Sequence, residues 1–135
     1  MAGYSGTPLW KKLGYRDGLS SYVGGAPANY VRILQMPPEI SVIWRKQPTP
    51  GIGFLHQFST SQAELKKKLQ SFRKTIDPSG TVWVSWPKKS SGVETDITED
   101  VVRQVALPLG FVDVKVCAVD QTWSGLKLMI RKELR

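Results

Sequence analysis

The stretch IGFLHQFSTSQAELKKKLQSFRKTIDPSGTVWVSWP, residues 52–87, places a strand, a helix and a second strand in succession. Ile52 to Phe58 is a short apolar run rich in aromatic residues, the pattern of a buried strand. In the middle, Leu65, Leu69, Phe72 and Ile76 fall on one helical stripe, and Ser61 with Glu64 three residues on makes a capping box. Asp77 to Gly80 has turn chemistry. Thr81 to Trp86 is high in β-propensity and largely apolar on both faces, as expected of a strand covered on two sides.

Working outward, the same alternation continues. Upstream, Thr7 caps a short helix with Pro8 at its first position and Gly14 as its stop; residues 1–18 form a helical segment packed on the domain. Leu19 to Val23 is a strand that ends in Gly24-Gly25. Pro27 opens a helix to about Gln35, with Tyr30, Val31 and Leu34 inward, and Pro37-Pro38 forbids its continuation. Ile40 to Trp44 is a further strand. Its link to the next one, Lys46 to Gly51, is too short for a helical crossover. Six extended residues span about 20 Å, so either that link is stretched or the Ile40–Trp44 strand is placed differently. Downstream, Thr98 caps a helix with Ile97, Val101, Val102, Val105, Ala106 and Leu109 inward, closed by Pro108 and Gly110. Phe111 to Asp120 and Ser124 to Lys132 alternate cleanly and predict an antiparallel hairpin. Strands alternating with helices imply an α/β fold: a mostly parallel sheet with helices on both faces, closing in that hairpin, as one domain over residues 1–135.

Composition narrows the class. A chain of 135 residues can bury a core without disulfides or a structural metal. The start of the chain lacks an uninterrupted apolar segment, no run reaches a membrane-spanning length, and Cys117 is the single cysteine. These features predict a cytoplasmic protein with no membrane partner. The net charge is +8, but residues 1–93 carry 13 Lys and Arg against 4 Asp and Glu, while residues 94–135 carry 6 against 7. A basic excess confined to the first two thirds suits an anionic small molecule, an acidic protein or a nucleic acid, or is simply a solvated surface.

From Leu55 onward the order of parts resembles the second half of a class I methyltransferase. A strand and helix lead through DPSGTVWVSW to a helix ending in LGF, then to a reversed hairpin. VGGAPANY stands where that Rossmann-like fold has its glycine turn. The segments AGYSGTPLWKKLG, WVSWPKKSSG, TDITEDVVRQVALPLG and VDVKVCAVDQTWSGLKL more specifically resemble a family of short bacterial proteins known only as a domain of unknown function. The first resemblance implies the fold and a methyl-donor nucleotide at the carboxyl ends of the strands; the second implies no activity.

Ligands of open α/β sheets bind beyond the carboxyl ends of the strands, where Gly24–Asn29, Lys46–Gly51 and Pro87–Asp96 fall. A methyl-donor site of the implied kind has a glycine-rich first loop and a carboxylate after the second strand to take the ribose hydroxyls. Here the first loop offers only Gly24-Gly25, and Arg45-Lys46 follow the second strand, with Glu39 at its other end. These departures predict no cofactor, with S-adenosylmethionine as the remaining option. Gly24-Gly25 reads as a tight turn or as a cofactor loop. Trp86 and Pro87 set the exit of the next loop. In it Lys88, Lys89, Ser90 and Ser91 can grip a phosphate or carboxylate, with Gly92 permitting close approach. Alternatively, Lys88 or Lys89 pairs with Glu94 or Asp96, and the acids Asp96, Glu99 and Asp100 repel an anion. His56, with Gln57 late in a central strand, is either an acid–base group facing the crevice or a hydrogen-bonded core histidine. Asp120 and Trp123 flank the hairpin turn, either as a capping carboxylate and a packed indole or as a surface recognition tip. Lys66, Lys67, Arg73 and Lys74 lie away from the apolar stripe of their helix but have no interleaved aromatic residues, which a nucleic-acid surface needs.

The predicted ligand site is therefore Gly24, Gly25, His56, Trp86, Lys88, Lys89 and Ser90, with no catalytic residue and no metal. Three functions are compatible with it. The first is a non-catalytic methyltransferase-like binding or interaction domain for an anionic ligand or partner. The second is a small S-adenosylmethionine-dependent methyltransferase with an atypical pocket. The third is nucleic-acid binding through the basic surface.

Overall fold

The computed structural model describes residues 6–135; residues 1–5 of the expected N-terminal segment lie outside them. Six strands form one sheet: β1 (Ser20–Gly24), β2 (Ile43–Trp44), β3 (Ile52–Phe58), β4 (Ile76–Pro87), β5 (Phe111–Ala118) and β6 (Trp123–Ile130). Their order is β2-β1-β3-β4-β6-β5. The first four are mutually parallel, and β6 runs antiparallel to both β4 and β5. This is the mixed α/β architecture with a closing hairpin that the alternation predicts. The helices are α1 (Leu9–Leu13), α2 (Tyr30–Leu34), α3 (Gln62–Thr75) and α4 (Glu99–Ala106). Among the described residues no helix is long and apolar enough to cross a membrane.

Each face of the sheet has its own core. On one, Leu55, Val82, Val84, Trp86, Leu126 and Leu128 meet α3 and α4 through Leu65, Leu69, Phe72, Val102 and Ala106. On the other, Phe54, Phe58 and Trp83 meet α1 and α2 through Leu13, Tyr30 and Leu34. The period of two along β3 and β4 sorts their side chains between these layers. Trp83 also fastens α1, its indole N–H donating to the Leu13 carbonyl at 2.8 Å.

Several local expectations are revised. The strand expected over residues 40–44 is only Ile43–Trp44, opposite Ser20 and Ser21 at the start of β1. Ser21 also stands opposite Phe54. The chain leaving β2 therefore has to move back only about two strand positions to enter β3, which is why so short a link suffices. Val31 faces outward rather than inward, 57% exposed, because α2 spans a single turn and a half and turns Tyr30, Leu34 and, in part, Ile33 to the core. Asp77–Gly80 is a turn set inside β4: Ile52 pairs with Ile76 and Phe54 with Thr81, so Gly53 alone faces four residues. The Asp77 carboxylate accepts from the Ser79 N–H and hydroxyl there. The Ser61 hydroxyl caps α3 by accepting the Glu64 N–H, but Glu64 turns to the Ser59 hydroxyl instead of returning to Ser61. The box is half closed. Thr98 caps α4 as expected, accepting the Val101 N–H.

Candidate functional site

Parallel pairing of β1, β3 and β4 carries the predicted residues to a common carboxyl pole. Gly24 stands opposite Gln57, Val23 opposite His56, His56 opposite Trp83 and Phe58 opposite Ser85. The Lys88 loop leaves the same pole, beside the turn between β5 and β6, since Pro87 pairs with Trp123. Sharing a pole is not sharing a surface, however, and the depth of each group separates them.

His56 points to the α1/α2 face and is 0% exposed. Its Nδ1 lies 2.9 Å from the Tyr30 hydroxyl and its Nε2 2.7 Å from the Ser85 hydroxyl. The Tyr30 hydroxyl is in turn hydrogen-bonded to that of Tyr15 at 2.8 Å, and Tyr15 to that of Ser21 at 3.1 Å. Five buried side chains from three strands, α2 and the α1–β1 connection thus form one continuous chain, a hydrogen-bonded core histidine at its centre. Burial pushes the imidazole pKa down to about 3, so the ring is neutral, and burial raises the Tyr15 and Tyr30 hydroxyls above their ordinary range. The Phe58 ring stacks on the imidazole, with centroids 4.3 Å apart. Both ring nitrogens are engaged and the ring is sealed from solvent.

Gln57, the next residue, points to the opposite face. It is 3% exposed, and its amide nitrogen donates to the Phe58 carbonyl at 2.9 Å. Its Oε1 is buried without a hydrogen-bond donor, the one such side-chain atom among the described residues. This carboxamide occupies the space above the glycine turn. A Cβ on Gly24 would stand 2.6 Å from Oε1 and 3.0 Å from the Tyr22 hydroxyl. Gly25 has φ +68°, and a Cβ there would stand 2.6 Å from the Phe58 carbonyl oxygen. Gly25 is thus required by its φ and by backbone contact with the end of β3, while a Cβ on Gly24 would displace the Gln57 side chain. The sequence signal for Gln57 was a polar residue on the Leu55 side of a strand otherwise apolar on that face.

The Lys88 loop is largely stitched down. Trp86 belongs to the core beneath α3 and α4, two positions on from Val84 along the same face. The Lys88 ammonium donates to the Asp120 carbonyl at 2.8 Å and its backbone N–H to the Thr122 carbonyl at 2.8 Å. Asp120 caps the hairpin turn, accepting the Thr122 and Trp123 N–H groups, and the Trp123 indole packs edge-on against Phe58. Asp96 accepts the Gln62 N–H at the start of α3 rather than meeting a lysine. Lys89 and Ser90 remain exposed. A cavity of about 350 Å³ lies nearby, against Leu9, Lys12, Ile33, Gln35, Val119 and Asp120; a second, of about 340 Å³, opens at the amino pole.

No family model and no curated protein matches the chain. Solved structures do match in fold. A SAM-dependent methyltransferase from Aquifex aeolicus aligns with TM-score 0.66 at 14% identity, covering 90% of this chain and 87% of that one. A putative type 11 methyltransferase from Sulfolobus solfataricus gives 0.60 at 15%, covering 86% and 85%. Magnesium protoporphyrin IX methyltransferase from Synechocystis PCC 6803, solved with bound SAM, gives 0.60 at 11%, covering 85% and 71%. The fold is that of class I methyltransferases. The expectation of no cofactor is corrected by this comparison. It rested on motif departures at Gly24-Gly25 and Arg45-Lys46, whereas one structural neighbour is a SAM-dependent methyltransferase and another was solved with bound SAM.

Proposed function

We propose that this chain is a methyltransferase-like binding domain that takes an S-adenosylmethionine-type ligand at its carboxyl pole, on a floor made by Gly24, Gly25 and Gln57. The observation that carries this reading is Gln57 Oε1, a buried acceptor without a donor directly over the glycine turn. An unmade hydrogen bond of this kind costs about 1–3 kcal/mol, and its persistence calls for a partner. The ammonium or exocyclic amine of such a ligand is the donor it lacks. Only the bond to Phe58 restrains the carboxamide, so turning it off Gly24 opens the space that now excludes a Cβ. Lys89 and Ser90, exposed on the same pole, are the groups left to meet the ligand's carboxylate.

The reading is of binding. S-adenosylmethionine supplies an electrophilic methyl group when bound, but no residue here is assigned to its transfer. His56 is sealed between Tyr30 and Ser85. The ribose side also departs from the resemblance: β2 stops opposite Ser21, three positions short of Gly24, and Arg45-Lys46 follow it.

Titration calorimetry with S-adenosylmethionine and its demethylated product, on the wild type and on Gln57→Leu, tests the proposal. Saturable heat that falls at least about tenfold in affinity in the variant is the expected result, a loss of about 1.4 kcal/mol, near the lower end of the worth of one hydrogen bond to a charged donor. Silence with both ligands at millimolar concentration, or equal binding by the variant, overturns it.

A further inference from the structure

We infer that the sheet edge at β2 is a docking surface for single-stranded nucleic acid, with Trp44 as a stacking platform and Arg16, Arg32, Arg45 and Lys46 as its phosphate contacts. This goes beyond the ligand site and stands on separate observations.

The first is how charge is distributed. Among the described residues the ion pairs are those of Arg103 with Glu99, Asp100 and Asp113, and of Arg131 with Glu133, all in the last third of the chain. None of the 13 Lys and Arg of residues 1–93 pairs with a carboxylate. Of the four acids in that region, Asp17, Glu64 and Asp77 are taken by neutral donors, and Glu39 is exposed in the loop before β2. The last third neutralises itself; the first two thirds present unpaired cations to an outside anion.

The second observation is local. Trp44 is 41% exposed, and its ring is braced by Tyr15, centroids 5.6 Å apart, and by Tyr30 at 6.4 Å. Arg16 follows Tyr15, Arg32 lies two residues after Tyr30 on the outward side of α2, and Arg45 and Lys46 follow Trp44; all four are exposed. The Arg45 N–H donates to the Ser21 carbonyl at 2.8 Å, which holds the backbone of this basic pair to the sheet. An open indole among cations is the chemistry that grips a single strand, bases stacking on the ring while phosphates meet the charges. A duplex hides its base faces. The other basic surface, α3, buries its one aromatic residue, Phe72, and offers charge alone.

The test is fluorescence anisotropy of a labelled single strand of about ten nucleotides, read at several salt concentrations beside a duplex of the same sequence. The wild type is expected to prefer the single strand, with affinity falling as salt rises. Trp44→Ala is expected to weaken binding about tenfold with the salt slope unchanged. Because Trp44 packs on two tyrosines, a second variant uses only exposed side chains: Arg32→Ala with Arg45→Ala and Lys46→Ala is expected to lower the salt slope by about two. Absent binding, equal affinity for the duplex, or a larger loss from Lys66→Ala with Lys67→Ala and Lys74→Ala than from the β2-edge variant overturns the inference. S-adenosylmethionine titration of Arg16→Ala with Arg32→Ala, two exposed residues outside the ligand site, is expected to match the wild type, so the two sites fail or survive separately.

Discussion

His56 and Gln57 are neighbours on β3 that enter opposite faces of the sheet. On the His56 side, every polar atom is matched, from Ser21 through Tyr15 and Tyr30 to Ser85. On the Gln57 side, one carbonyl oxygen, equally buried, has no donor. The contrast teaches how a polar group that holds a core differs from one left unmatched within it. A closed network in low dielectric rigidifies and is costly to open. An open acceptor at the mouth of a glycine turn weakens the free protein and gains from a ligand.

That contrast can be broken at its strongest point first. His56→Ala removes a packed ring and strands the Tyr30 and Ser85 hydroxyls, so a loss of about 3–5 kcal/mol is expected in denaturant unfolding; a loss below about 1 kcal/mol would show the network to be dispensable. Acid attacks the same chain. The folded imidazole pKa is held near 3 against an ordinary 6.5. Above pH 6.5 both folded and unfolded forms are neutral and full stability is present. Below it the unfolded chain takes up a proton that the folded one refuses, so stability falls as the pH drops toward 3, by up to about 1.4 kcal/mol per unit. Unfolding midpoints between pH 7 and 4.5, above the carboxylate range, read this effect directly; a flat profile contradicts it.

The Gln57 side is expected to respond more weakly. Gly24→Ala drives a methyl group against Oε1, which a flexible carboxamide can escape, so a loss of about 1–2 kcal/mol is expected. Smallest is Gln57→Leu, which removes the orphaned acceptor along with its one hydrogen bond: stability within about 1 kcal/mol of the wild type is expected, while the ligand affinity falls. If Gln57→Leu instead destabilises as much as His56→Ala, the two sides are alike and Gln57 is structural.

Regions with strong periodicity were legible in advance. The limits of β3 match the residue 52–58 run, α3 follows its stripe of Leu65, Leu69 and Phe72, and the β5–β6 hairpin follows its alternation, because burial on one face imposes a repeat on the sequence. The Ile40–Trp44 segment misled because its β-propensity is satisfied by pairing, and only two of its residues find a partner strand. Gly24-Gly25 was legible as a special backbone, but not what stands over it. His56 was legible as a candidate and as a core residue alike; Ser85, which lies 29 residues further on, carries no mark of its bond to the imidazole.

By itself, then, the amino-acid sequence determined the kinds of elements, their order and the parallel sheet that follows from strands joined through helices, all consequences of local period and turn chemistry. Tertiary structure alone decided which polar side chains are satisfied. A hydrogen bond between residues far apart in the chain depends on strand register and on the face each residue is dealt. One position of register separates the sealed imidazole from the unpartnered carboxamide beside it.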